Sequence, residues 1–277
     1  MATTHDVRLA DGRTVRVHDT GDAGGAGPLT LIWHQGSPQT GALLEPLLSA
    51  AAPRRIRLLS YGRPSYGGSS PNPGRNVASA AADVEQFANA LGIDRFAVMG
   101  ASGGGPHALA CAALMPDRVI GAVCLAAIAP LTDSFDWYAG MASDGGLRSA
   151  VAGREARKQH AAAFEFDPGI FTAADWAALD GAWASLGADS VLAGQAGPEG
   201  LIDDDLAYVA PWGFDLAQVQ APVLLVQGGE DRVVPQAHAE FLLRECPAAE
   251  LWLRPRDGHV SVLAAVPVAM DWLLARG

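Results

Sequence analysis

From Leu29 onward this chain alternates short apolar runs with helical patterns, a rhythm that restricts it to an α/β fold on a mostly parallel sheet. Strands of such a sheet are buried on both faces, so each reads as a continuous apolar run. The runs predict strands at 29–34, 55–60, 96–100, 120–126, 222–227 and 249–253. Helices are expected between them at 40–51, 76–91, 106–115, 236–245 and 260–274. The second has the clearest ends. Asn76 caps it, Val77, Val84, Phe87 and Leu91 share one face, and Gly92 stops it. Upstream, Val7-Arg8-Leu9 and Val15-Arg16-Val17 flank Asp11-Gly12, the signature of an antiparallel hairpin, and 21–28 reads as a Gly-rich loop.

The sharpest local signal is Gly100-Ala101-Ser102-Gly103-Gly104, set between the apolar run Phe96-Ala97-Val98-Met99 and an Ala/Leu-rich helix. This is the G-x-S-x-G pattern of a nucleophile elbow, a strained strand-to-helix turn that exposes a serine hydroxyl. Side chains at 100 and 104 would collide with backbone in so tight a turn. Pro106 falls in the first helical turn, where a missing N–H costs nothing. Gly103-Gly104-Gly105-Pro106-His107-Ala108 also fits the dinucleotide pattern G-x-G-x-x-A. That reading needs a carboxylate roughly 20 positions on. The next strand ends in Ala126-Ala127-Ile128-Ala129-Pro130 and supplies none.

A serine hydroxyl is a poor nucleophile until a base takes its proton and an acid holds the base. Both partners follow in the order Ser…Asp…His. Gly228-Gly229-Glu230-Asp231 closes the predicted strand at 222–227, placing Asp231 at the sheet edge where open α/β sheets bind ligands. Arg256-Asp257-Gly258-His259 follows the last strand and projects an imidazole from the same edge.

The strand–helix rhythm breaks between 131 and 213, where helices are expected at 147–164 and 173–186. Thr172 and Asp175 make a capping-box start for the second. With Phe214 at its edge, this segment carries more than half of the chain's aromatic rings. An aromatic-rich helical insertion suits a lid over an apolar pocket, and Trp137, Trp176, Trp183 and Trp212 are the candidate substrate-lining rings. The same rings also suit a plainer role, sealing the insertion onto the core. The expected division is an α/β core of 1–130 and 214–277 with a helical cap at 131–213.

Thirty acidic against 19 basic residues give a formal charge of −11. No basic stripe is present to displace counterions, so no nucleic-acid partner is expected. No segment reaches the roughly 18 apolar residues of a membrane span. The first six residues show no charged region leading into an apolar stretch, so no secretory signal is expected. Cys111, Cys124 and Cys246 read as buried thiols of a reducing compartment, with no C-x-x-C or H-x-x-x-H pattern for a metal. The expectation is a cytoplasmic protein with a small-molecule substrate, no metal and no cofactor. Nothing in the sequence fixes an oligomeric state.

The anchors quoted above, together with Trp33-His34-Gln35-Gly36-Ser37-Pro38 and Tyr61-Gly62-Arg63-Pro64-Ser65-Tyr66-Gly67-Gly68-Ser69, resemble the α/β-hydrolase fold superfamily. The likeness is greatest to its cap-bearing members near the proline iminopeptidase and epoxide hydrolase group. It implies that Ser102 attacks an acyl carbon, His259 serves as general base and then acid, and Asp231 orients His259. It implies an oxyanion hole from the backbone N–H groups of Gly103 and Ser37, with His34 as a substrate-side candidate. Some relatives place the acid after the preceding strand, which here offers Asp133 and Asp136. Relatives with an aspartate nucleophile are disfavoured by the serine at 102. Two departures stand out. Gly62 replaces an aspartate common in related sequences, which is expected to leave Arg63 without its local partner. Ser65 replaces a glycine and must fit a glycine-like turn. The loop at 34–38 also lacks the His-Gly-Gly-Pro order of proline iminopeptidases, so peptidase activity is only weakly implied. His107 is expected to be packed or pocket-lining, and His5, His18, His160 and His238 to lie on the surface.

These readings converge on a cofactor-independent serine hydrolase acting on an ester, thioester or lactone with an apolar moiety. Carbon–carbon bond hydrolysis or acyl transfer on the same three residues is the alternative. A ligand-binding protein that retains the fold is the reading from a different class, although a pure binder has no need of all three groups.

Overall fold

A computed structural model describes residues 2–21 and 27–276; of the Gly-rich loop expected at 21–28, residues 22–26 lie outside the described residues. Eight strands form one sheet: β1 (Thr3–Arg8), β2 (Thr14–Asp19), β3 (Leu29–His34), β4 (Ile56–Tyr61), β5 (Phe96–Ala101), β6 (Val119–Leu125), β7 (Val223–Gly228) and β8 (Ala249–Arg254). Their spatial order is β1-β2-β4-β3-β5-β6-β7-β8. The β1–β2 hairpin pairs Val7 with Val15 and joins the sheet antiparallel to β4. Every pairing among β3 to β8 is parallel, so those strands all end at one edge.

The alternation of side chains along each strand divides the core into two faces. Ile32, Val98 and Leu225 join Val84, Phe87 and Leu109 in one cluster, which draws on α2 (Ser79–Ala90), α3 (Gly104–Leu114) and α9 (Gln236–Glu245). Leu31, Trp33, Met99 and Leu224 join Leu47, Met270 and Leu273 in the other, beneath α1 (Glu45–Ala51) and α10 (Val266–Leu274). Both faces of β5 are therefore covered, and all six of its residues are buried.

Between β6 and β7 lie α4 (Gly145–Val151), α5 (Arg154–Ala163), α6 (Ala173–Asp180), α7 (Ala184–Gln195) and α8 (Glu199–Val209). The continuous helix expected at 147–164 is two helices, broken where Gly153 takes φ +104. The helix expected at 173–186 likewise ends at Asp180, and α7 begins after Trp183. Thr172 and Asp175 form the capping box that the sequence indicates. Residues 261–265 are a 3-10 turn leading into α10 rather than α-helix. Among the described residues, no helix is long and apolar enough to cross a membrane.

Candidate active site

β5 runs straight into Ser102, whose φ of +53 is left-handed. Holding a non-glycine residue there costs on the order of 1–3 kcal/mol. The flanking glycines are needed for close approach. A Cβ on Gly100 would stand 2.3 Å from the Gly104 carbonyl oxygen, and one on Gly104 would stand 2.0 Å from that of His34. The elbow is pinned at both ends: Ser102 N donates to Leu125 O at 2.8 Å, and Gly105 N donates to Ser102 O at 3.0 Å. Gly36 packs beside it, close enough that an added Cβ would lie 3.5 Å from Ser102 Cβ.

Two strands along the sheet, β7 ends in the loop that holds Asp231. Its Oδ1 accepts the amides of Val233 and Val234 at 2.8 and 2.9 Å. Its Oδ2 accepts His259 Nδ1 at 2.8 Å, with Gln227 Nε2 at 3.4 Å. An ionised carboxylate only accepts, so Nδ1 carries the proton and Nε2 presents a lone pair. Burial alone pushes the imidazole pKa down. The charge and hydrogen bond of Asp231, with a contribution from Asp175, outweigh it and hold His259 above its ordinary 6.5. Asp133 and Asp136 are exposed, and the carboxylate on Nδ1 is that of Asp231. Ser102 Oγ makes no hydrogen bond to the imidazole; such contacts are often long until substrate fills the site.

The loop at 34–38 is anchored by Arg63 and from α8. Arg63, buried at 1 % exposure, donates to the carbonyls of Gln35 and Gly36 and to Ser37 Oγ. The carboxylate missing at Gly62 is supplied instead by Asp204 of α8, which takes Arg63 Nη2 at 2.7 Å and Arg75 Nη2 at 2.6 Å. Tyr66 Oη and Ser37 Oγ also donate to Asp204. At position 62 a Cβ would meet Tyr66 O at 2.5 Å, so this backbone has no room for an aspartate there. Ser65 takes φ +73, the glycine-like turn. Tyr208, also on α8, donates to Gly103 O at 3.0 Å and lies 2.9 Å from Ser37 Oγ, bridging the elbow and the loop.

His34 does not face a substrate surface. It is fully buried in the core, with Nδ1 3.1 Å from Tyr61 Oη and Nε2 3.8 Å from Cys111 Sγ. His238 is buried too, contrary to the surface position expected. Its Nδ1 accepts Ala129 N, and its Nε2 lies 2.9 Å from Trp137 O. Burial lowers its pKa to about 4, so it packs as a neutral ring. His107 is packed and neutral as well, lowered to about 3 chiefly by burial. Trp137 is buried against His238 and Tyr138 and donates to Ala129 O. Trp183 is buried in the core cluster that holds Val260 and Val262, and Trp212 is buried, donating to Tyr208 O. Trp176 alone among the four is half-exposed, edge-on to Phe166 and Phe171.

Three residues missed in the sequence support this site: Asp204, Tyr208 and Asp175. For Asp204 the signal is the acidic run Asp203-Asp204-Asp205 between Ile202 and Leu206, too apolar a setting for three solvated charges. Consecutive helical positions point about 100° apart, so the three carboxylates need cations on different sides of the helix. Asp203 pairs with Arg75 and Arg154, Asp204 with Arg63 and Arg75, and Asp205 with Arg157. Asp175 shows itself in the sequence only as half of a capping box.

The strand order, an elbow serine after β5 and a carboxylate-held imidazole after β8 define a hydrolase of the α/β class. The family described as alpha/beta hydrolase fold matches residues 30–265, and the chain belongs to that family. It is 29% identical over 222 residues to the serine hydrolase BPHL of Mus musculus, covering 77% of this chain and 67% of that protein. Among solved structures it is similar to a bromoperoxidase from Bacillus anthracis, with TM-score 0.74 and 22% identity over 99% of this chain and 100% of that one. It is also similar to the enol-lactonase from Burkholderia xenovorans LB400, with TM-score 0.73 and 17% identity over 98% and 100%.

Proposed function

We propose that this protein is a serine hydrolase that cleaves a carboxylic ester, thioester or lactone bearing an apolar moiety. Ser102 is the nucleophile, His259 the general base and Asp231 its orienting acid. The observation that carries this reading is the 2.8 Å contact of His259 Nδ1 with Asp231 Oδ2, at the sheet edge that also bears the strained Ser102. With Nδ1–H committed, Nε2 takes the Ser102 proton as Oγ adds to the acyl carbon. The charge that develops on the carbonyl oxygen meets the N–H groups of Gly103 and Ser37, donors worth roughly 3 kcal/mol each. Collapse expels the alcohol or thiol, which leaves with the proton from His259. Water then adds to the acyl-enzyme by the same route and frees the acid; from a lactone the product is a hydroxy acid. The likeness to a serine hydrolase and to an enol-lactonase supports this substrate class.

A fluorophosphonate probe is expected to modify Ser102, located by mass mapping of the adduct, and the His259→Ala protein to remain unlabelled. Folded wild-type protein that resists the probe would favour a ligand carrier and overturn the proposal. The rate of labelling also has a predictable pH dependence. His259 accepts a proton only when neutral, and its pKa stands above 6.5. Reactivity should therefore fall on the acid side with a midpoint above pH 6.5. A midpoint below that value contradicts the influence of Asp231 on the ring.

A further inference from the structure

The imidazole is held from two directions. Asp231 holds the ring, while a second carboxylate, on the helical insertion, holds the backbone that carries it. Asp175 is the third residue of α6 and is 1 % exposed. Its Oδ2 closes the capping box, accepting Thr172 N at 3.0 Å and Thr172 Oγ1 at 2.9 Å. Its Oδ1 crosses to the core and accepts Val260 N at 2.8 Å, Ser261 N at 2.8 Å and Ser261 Oγ at 2.9 Å. Val260 and Ser261 begin the 3-10 turn that leads into α10, so their amides have no partner within that turn. One carboxylate thus serves the free N–H groups of two helical starts, one of them directly after His259. The fit is close: a Cβ on Gly258 would stand 2.1 Å from Asp175 Oδ2. Gly258 N donates to Ser261 Oγ at 2.7 Å, which draws the residue before His259 into the same clasp.

We propose that Asp175 is a positioning residue for His259: from the insertion it fixes the backbone on both sides of the imidazole and adds a second negative charge to that of Asp231. The proposal rests on the serine hydrolase reading above. The charged groups facing the ring are Asp231 from the β7 loop and Asp175 from α6. Asp257, on the same turn as His259, is ion-paired with Arg254 of β8. Burial works against ionisation of Asp175, yet the amides and hydroxyl it accepts hold its pKa below the ordinary carboxylate value, so it is charged wherever His259 titrates. Because α6 belongs to the insertion, how that segment is seated and how the imidazole is aimed become one property.

The test is the pH dependence of fluorophosphonate labelling at Ser102 in wild type and in the Asp175→Asn protein. Asparagine can still accept from residues 260 and 261, but it carries no charge and cannot complete the capping box. The expected result is a plateau rate lower by roughly 10²-fold, as for a reacting group misplaced by about 1 Å. The acid limb should also move to lower pH, because a negative charge near the imidazolium has gone. Loss of structural support alone does not move that limb. Thr172→Ala, which removes the α6 cap and leaves the clasp on 260 and 261, should lower the melting temperature with the limb in place. Should Asp175→Asn fail to fold, Gly258→Ala displaces the carboxylate while retaining its charge, and its plateau should fall with the limb nearly fixed. A folded Asp175→Asn protein with wild-type plateau and limb, or a Gly258→Ala protein with a wild-type plateau, overturns the proposal. Wild-type protein that does not label at Ser102 overturns the hydrolase reading instead.

Discussion

Replacing Ser102 by glycine should make the protein inert and more stable at once. Loss of the nucleophile is expected to lower turnover of an activated acyl ester by a factor on the order of 10⁶, the scale for removing a serine that acts as one unit with its base. The gain in stability has a separate origin. Ser102 is held at φ +53, where a Cβ is strained and glycine is not. Relief of about 1 kcal/mol is expected, less whatever glycine adds to the entropy of the unfolded chain. The control is Ser102→Ala, which loses the hydroxyl but keeps the Cβ, so it should be equally inert without the stability gain. Thermal melting of the two variants beside wild type decides the point. A glycine variant that melts no higher than the alanine variant would show that the elbow stores no strain. A positive difference would mark the proposed nucleophile as a site where function is maintained against the preference of the fold.

The sheet, the elbow and the loops that bring Asp231 to His259 are legible because each is written in a local code. Buried parallel strands are continuous apolar runs, and every strand expected from 29 onward lies within a residue or two of its observed bounds. The elbow needs glycine on both sides of its serine, and the close approaches at Gly100 and Gly104 are the physical content of that motif. What escaped detection was decided by contacts distant in sequence. Arg63 and Asp204 are 141 positions apart, and nothing near Gly62 indicates that its missing carboxylate arrives from α8. Asp175 and Ser261 meet across 86 positions, so the capping box was visible while its second use was not. His238 has no partner at catalytic spacing in the sequence, so it reads as a surface residue. Only the tertiary fold shows that its two nitrogens match Ala129 N and Trp137 O. The break at Gly153 was missed for the opposite reason. Its Ala- and Arg-rich flanks favour helix strongly enough to mask one glycine at φ +104.

Asp204→Ala should be the most damaging substitution outside the reacting groups, lowering stability by about 3–5 kcal/mol. The carboxylate has 0 % exposure and serves two guanidinium groups that are themselves 1–2 % exposed. Its removal leaves Arg63 and Arg75 charged in a dry interior, with Asp203 at 3.5 Å from Arg75 as the remaining nearby anion. The effect reaches chemistry because Arg63 also holds Gly36 O and Ser37 Oγ, the loop that bears a proposed oxyanion donor. Labelling of Ser102 should therefore slow as well, even at temperatures where the variant remains folded. The pH dependence carries an independent signature. Burial opposes ionisation of Asp204, but Arg63 and Arg75 prevail and hold its pKa below 3.8. Its stabilisation is thus full above 3.8 and is lost as pH falls further. Its neighbour Asp205 has the opposite sign. Burial raises it to about 6 despite Arg157, so its contribution is full below 3.8 and declines as pH rises through 6. Urea denaturation across this range should show the deep-acid loss disappear in Asp204→Ala and the decline between 3.8 and 6 disappear in Asp205→Asn. If the Asp204→Ala protein keeps wild-type stability at neutral pH, α8 is not fastened to Arg63 and Arg75 through this carboxylate.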